Sequence, residues 1–199
     1  MPNSTSLPEP AENGDRQTLR RTFVTRRLAV PAATIADWGG AVCRHLLEHF
    51  PSPPGRHIGF CWPVKNEPDL RPVLARWQTD GAVACLPVVV ASGAALAFRA
   101  WSPETPTVVD RYGIPTPAAG EYIAPDVLLL PLNAFDAAGY RLGYGGGYFD
   151  RTLVAIRPRP LVIGVGFEID RVDSIGAQPH DQRLDWIITE AGCFRPETT

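Results

Sequence analysis

Val127-Leu-Leu-Leu-Pro-Leu132, continuing into Asn133-Ala-Phe-Asp-Ala-Ala-Gly-Tyr-Arg-Leu-Gly-Tyr-Gly-Gly-Gly-Tyr-Phe-Asp-Arg-Thr152, decides how the rest of this chain is read. Its first six residues are apolar and read as a buried strand, and the segment from Tyr148 reads as the opening of a helix. Between them, Gly143, Gly145, Gly146 and Gly147 leave backbone N–H groups without side-chain cover. Such a nest before a helix N-terminus attracts anions, phosphate being the usual biological one. Arg141 and Arg151 flank the glycines, and Asp150 sits where a carboxylate could hold Mg²⁺ against phosphates. The stretch points to nucleotide chemistry. Neither familiar nucleotide loop fits it. A Walker A loop needs Gly-Lys-Ser/Thr after its glycines, where Tyr148 and Phe149 stand, and the third glycine of a dinucleotide loop is replaced by Tyr148.

Outward from this unit, apolar strands alternate with helices. Residues 15–28 show helical spacing with five arginines: Leu19, Phe23 and Leu28 are expected to face inward, and Arg16 and Arg20 fall at i and i+4 on one face. That face is either solvated or aimed at an anion. A second helix runs over about 31–50 and ends at Pro51-Ser-Pro-Pro-Gly55. Residues 56–62 read as a short buried strand that opens into Pro63-Val-Lys-Asn-Glu67 and a further helix. Strands follow at 82–90, 94–101, 127–132 and 160–167, with a final one ending at Thr189. Residues 107–119 carry Pro115 and Pro117 and are expected to be irregular. This alternation predicts an α/β fold, a mainly parallel central sheet with helices on both faces. In such sheets ligands gather where loops leave the carboxyl ends of strands, which is where Trp62 and Glu67 fall.

Composition narrows the function. The chain has 199 residues, 45% of them hydrophobic, and a net charge of −2, which gives no pull toward nucleic acid or a membrane surface. Its four cysteines show no CxxC spacing, which argues against a disulfide framework or zinc site and for a reducing cytoplasm. Residues 1–13 are expected to be a disordered leader without signal-peptide or transit character, and residues 14–199 one domain. His45-Leu-Leu-Glu-His49 matches a zinc-protease pattern. It lies at a helix end, where histidine is favoured by the macrodipole, and no acidic third ligand follows; the structural reading is preferred.

The segment Arg141-Leu-Gly-Tyr-Gly-Gly-Gly-Tyr-Phe-Asp-Arg151, preceded by Ala134-Phe-Asp and Gly139, resembles the signature of the 5-formyltetrahydrofolate cyclo-ligase (5,10-methenyltetrahydrofolate synthetase) family. Trp62-Pro-Val-Lys-Asn-Glu-Pro-Asp69, Tyr112-Gly-Ile-Pro-Thr-Pro117 and Pro179-His-Asp-Gln-Arg-Leu-Asp-Trp-Ile-Ile-Thr-Glu190 resemble further family segments in the same order. The resemblance implies a three-layer, NagB/RpiA/CoA-transferase-like fold and an ATP- and Mg²⁺-dependent cyclisation of 5-formyltetrahydrofolate. It implies a small-molecule folate substrate, a monomer or weak dimer, and no nucleic-acid or membrane partner. ATP would be held by Arg16, Arg20, Arg141, Leu142, Gly143, Tyr144, Gly145, Gly146, Gly147, Tyr148 and Phe149. Folate would meet Trp62, Glu67 and residues 144–148; Glu67, Arg141 and Tyr148 would take part in the chemistry; Asp150 and Asp185 would serve Mg²⁺. His180 either orders the closing motif or touches phosphate. Arg16 stands where the family usually has lysine, Thr116 replaces an acid, and Arg183 replaces a proline. A non-catalytic folate or nucleotide binder, and a paralogue acting on another N-formyl substrate, are the alternatives.

Overall fold

The computed structural model describes residues 13–197, and side chains from residue 16; the expected leader, apart from Asn13, lies outside the described residues. The chain opens with α1 (Asn13–Leu28) and α2 (Ala32–His49), then β1 (His57–Gly59), α3 (Arg71–Thr79), β2 (Val83–Val88) and β3 (Ala97–Ala100). A two-stranded arm follows, β4 (Thr107–Val109) and β5 (Pro115–Pro117). Next come β6 (Val127–Pro131), the small hairpin β7 (Ala134–Phe135) and β8 (Arg141–Leu142), and α4 (Tyr148–Ala155). The chain closes with β9 (Leu161–Val165), a 3₁₀ turn at Glu168–Asp170, β10 (Trp186–Thr189) and β11 (Gly192–Phe194).

Seven strands form one sheet in the order β11-β10-β9-β6-β1-β2-β3. β10, β9, β6, β1 and β2 are mutually parallel, while β3 and β11 pair antiparallel at the two edges. Each parallel strand is apolar because both its faces are covered. On one side Val42 and Leu46 of α2 and Val73, Leu74 and Trp77 of α3 pack on Ile58, Ala84, Leu129 and Ile163. On the other, Leu153 and Phe149 of α4 pack on Leu128, Leu130, Val162 and Ile187. Burying one such side chain contributes roughly 1.5–3 kcal/mol, so the two clusters hold the three layers together. The expected α/β sheet with helices on both faces is what the chain adopts.

Three expectations need correction. Residues 107–119 are not irregular throughout: β4 and β5 pair there, with prolines at both ends of β5. Two-stranded edge pairing leaves N–H positions free of the ladder, so proline is tolerated. The strand ending at Thr189 is not the last, because β11 turns back on it. Leu28 is not inward: it is 52% exposed, and Arg27 takes the buried position one residue earlier.

The strand order places the switch point of the sheet between β1 and β6, where ligands gather in folds of this kind. From β1 the chain moves outward to β2 on one side, then returns to β6 on the other and continues to β9 and β10. The loops leaving β1 and β6 therefore diverge, opening a crevice at their carboxyl ends.

Candidate active site

The β1 loop carries Trp62 and Glu67. Residues 64–67 form a tight turn in which Lys65 (φ 51°) and Asn66 (φ 60°) both adopt the left-handed conformation. That is a costly backbone for residues other than glycine, about 1–3 kcal/mol each where the site is sparsely populated. Glu67 closes the turn, its Oε2 accepting from Val64 N–H at 3.0 Å and its own N–H donating to Val64 O at 3.0 Å. The carboxylate is buried. Burial pushes it above the usual carboxylate range, and the Tyr144 hydroxyl, Val64 N–H, Arg27 and Lys65 only partly offset this.

The β6 loop runs through the β7–β8 hairpin into the glycines. Gly145 (φ 92°) and Gly147 (φ 61°) are left-handed, and Gly147 begins α4 with no side-chain cap. A Cβ placed on Gly143 would meet nothing within 4 Å, so the backbone there lies open to a ligand. Uncapped first-turn amides beside open backbone suit phosphate oxygens. Tyr144 reaches from this loop across the crevice and donates its hydroxyl to Glu67 Oε1 at 2.5 Å. Lys65 lies over the Tyr144 ring, 4.6 Å from its centre. The two loops are thereby joined over the switch point, with only about 10 Å³ of free space among Cys61, Glu67, Pro68 and Pro131.

The arginines divide. Arg20 donates to Gly143 O at 3.0 Å and sits against Gly145, so it belongs to the glycine loop. Burial, then the charge of Arg16, lowers its pKa from the ordinary value. Arg16 is committed elsewhere, its guanidinium forked onto Asp181 at 2.6 and 2.9 Å and onto Gly176 O at 2.9 Å. Arg141 is buried beneath the loop, with long contacts of 3.3 Å to Asp150 Oδ1 and Gln182 O. Leu142 and Phe149 point into the core and can offer a ligand only their backbone.

The two carboxylates expected at Mg²⁺ share no partner. Asp150 Oδ1 accepts from Arg141 and from Gln182 N–H at 3.1 Å, and no hydrogen bond occupies Oδ2 among the described residues, so one oxygen is available to a hard cation. Asp185 is held by Arg159 at 2.8 and 3.0 Å and by Val162 N–H at 2.8 Å, at the amino end of β9. Among the described residues no group of three or more His, Cys, Asp or Glu side chains could hold a metal.

Tyr148 forms a second cluster at the loop's end. Its hydroxyl accepts from Arg111 and lies 2.8 Å from the Tyr112 hydroxyl at the tip of the β4–β5 arm. The hydrogen bond with Tyr112 is the main cause lowering its pKa. Trp62 is stacked rather than free: Arg71 lies 4.9 Å over its ring, and Trp101 meets it edge-on at 5.9 Å.

The departures are structural in this fold. Thr116 donates to Pro87 O at 2.9 Å, tying the arm to β2, and Arg183 donates to Ala138 O at 2.6 Å. His180 is exposed at the loop surface. His45 pairs with Thr189 O at 3.0 Å, and the His49 ring packs 4.2 Å from that of Trp186. With Glu48 and Cys193 they line a cavity of about 210 Å³ between α2 and the edge strand β11.

Residues 12–190 match the family model described as "5-formyltetrahydrofolate cyclo-ligase family". The chain belongs to that family. The chain is 30% identical over 173 residues to the Escherichia coli K12 protein named 5-formyltetrahydrofolate cyclo-ligase, covering 82% of this chain and 94% of that one. It is 28% identical over 201 residues to the protein of that name from Mycolicibacterium smegmatis, covering 95% of this chain and 89% of that one. The NMR structure of Aquifex aeolicus 5,10-methenyltetrahydrofolate synthetase superimposes with a TM-score of 0.77 at 26% identity, covering 92% of this chain and 94% of that one. The chain is thus an enzyme of the ligase class. No helix among its described residues is long and apolar enough to cross a membrane.

The residue that sequence reasoning missed is Arg27. It is 1% exposed and bonds to both loops of the crevice. The signal was present: Arg16, Arg20, Phe23 and Arg27 are spaced 4, 3 and 4 apart, one face of a helix.

Proposed function

We propose that this protein converts 5-formyltetrahydrofolate to 5,10-methenyltetrahydrofolate with ATP and Mg²⁺, releasing ADP and phosphate, in the cytoplasm. The observation that carries this reading is the Tyr144–Glu67 hydrogen bond, which sets a phosphate nest and a buried carboxylate side by side across the switch point.

A formamide carbon resists attack because its nitrogen donates into the carbonyl. The formyl oxygen attacks the γ-phosphorus, and the bond to ADP breaks as the new O–P bond forms. N10 then attacks the same carbon and gives up its proton. Phosphate departs with the C–O bonding electrons, leaving the N5–C–N10 methenyl cation. The protein's work is to align two substrates and stabilise moving charge.

The residues suit those tasks. The amides of 143–149, with Arg20 and Arg141, would bind the triphosphate, since guanidinium and backbone donors match phosphate oxygens. Mg²⁺ held by Asp150 would offset phosphate charge. Glu67, raised by burial, is a stronger proton acceptor than an exposed carboxylate and would take the N10 proton. Trp62 and Tyr148 would face the pterin. We assign Arg16 to holding the 176–181 segment and Asp185 to the sheet's amino edge, given the partners each already has.

The test is to mix purified protein with 5-formyltetrahydrofolate and MgATP and follow the methenyl chromophore. Formation of the chromophore only when both substrates are present supports the reading. Folate binding without any chromophore sinks it.

A further inference from the structure

Arg27 lies on the inward face of α1, yet every acceptor it serves belongs to the crevice or its charge balance. Its Nε donates to Lys65 O at 2.9 Å, in the loop after β1. Its Nη1 donates to Leu132 O at 3.0 Å, just past β6, and to Asp170 Oδ2 at 2.9 Å. Its Nη2 donates to Asn133 Oδ1 at 2.9 Å and lies 3.9 Å from Glu67 Oε1. The backbone joins in: Arg27 O accepts from Asn66 Nδ2 at 3.4 Å. Asp170 is fully buried and supplies the countercharge.

Two consecutive left-handed, non-glycine residues do not persist unless their surroundings over-determine them. Lys65 and Asn66 are those residues, and each is tied to Arg27. Glu67 follows directly, so the orientation of its carboxylate is inherited from the turn. Nothing but a planar, five-donor cation could reach these acceptors together; an ammonium is a point charge with three donors.

We propose that Arg27 is a positioning residue for Glu67: it fastens the strained 64–67 turn to the end of β6 and so sets where the carboxylate meets the folate. This rests on the reading of Glu67 as the folate-facing proton acceptor. Arg27 itself, 1% exposed, touches no substrate.

The experiment compares the full-length wild type with Arg27→Lys and Asn66→Gly. Glycine accepts the left-handed backbone and removes only the contact to Arg27 O, so this variant keeps the fold. Hydrogen exchange is followed across residues 63–69, and KM is measured separately for 5-formyltetrahydrofolate and MgATP. Arg27→Lys raises exchange in the turn and the folate KM by about tenfold or more, the scale of one lost charge-assisted hydrogen bond, with the MgATP KM within about twofold. Asn66→Gly shifts the same two quantities in the same direction by about threefold, the scale of a lost neutral hydrogen bond. Should Arg27→Lys fail to fold, Asn133→Ala, which removes the acceptor of Arg27 Nη2 just past β6, decides through the same two quantities, read beside Asn66→Gly. Unchanged exchange, a loosened turn with an unchanged folate KM, or equal changes for both substrates would each overturn the proposal. A wild type without turnover would sink the functional reading instead, while the exchange comparison still judges the hold of Arg27 on the turn.

Discussion

Replacing Tyr144 with phenylalanine removes one oxygen and leaves the aromatic ring. That oxygen donates to Glu67 Oε1 at 2.5 Å, and burial together with the neighbouring carboxylate keeps the Tyr144 hydroxyl protonated by pushing its pKa far up. Without it, Oε1 keeps only the Arg27 guanidinium, 3.9 Å away and beyond hydrogen-bond length. A hydrogen bond to a charged group is worth about 1.5–3 kcal/mol, so kcat/KM for 5-formyltetrahydrofolate should fall roughly 10- to 100-fold. The sign for pH follows from the same atoms. The hydroxyl favours ionised Glu67, so its loss raises the Glu67 pKa further, and the acid limb of the rate profile moves to higher pH. Methenyl formation is followed by absorbance from pH 5 to 9, with thermal unfolding as a check on the fold. A folded variant with an unmoved acid limb would refute the assignment of Glu67 as the group that must be ionised.

Asp150→Ala should remove MgATP-dependent turnover by about 100-fold or more while the protein still binds folate, since the free oxygen at that position is the one offered to a metal; turnover near the wild-type rate counts against it. Gly164→Ala would place a methyl 2.6 Å from Leu184 Cδ1 and 2.8 Å from Leu132 Cδ2, overpacking worth about 1–3 kcal/mol that chemical denaturation would register as a lower midpoint. Asp170, pushed up to about 6 by burial, supports the fold most fully below its ordinary value and progressively less as pH rises through about 6. Asp170→Asn cannot ionise, so its stability measured between pH 4 and 7 should fall less steeply than that of the wild type; parallel curves would contradict the shift.

What the sequence made legible was whatever burial writes as a run or a period. Residues 127–132 and 160–167 are apolar throughout because helices cover both faces of β6 and β9. The glycine loop was legible because its glycines cannot be explained by packing alone. The β4–β5 arm was not, since prolines at both ends of β5 mask a strand that pairs on one edge only. Arg27 was half legible: its spacing from Arg16, Arg20 and Phe23 puts it on the inward face, but among five arginines in one helix spacing alone does not say which acceptors a buried guanidinium meets. Asp150 and Asp185 look equivalent as carboxylates beside polar turns, and only the positions of Arg141 and Arg159 separate them.

The ion pair between Arg16 and Asp181 spans 165 positions of the chain. During synthesis at about 5–20 residues per second, α1 therefore leaves the ribosome on the order of ten seconds before its anchor exists. A lone helix of 16 residues is marginal in water. The glycine loop and the 64–67 turn both lean on α1, through Arg20 and Arg27. Nascent chains that stop before residue 181 thus lack that anchor, and a segment translated long after α1 is the one that locks it in place.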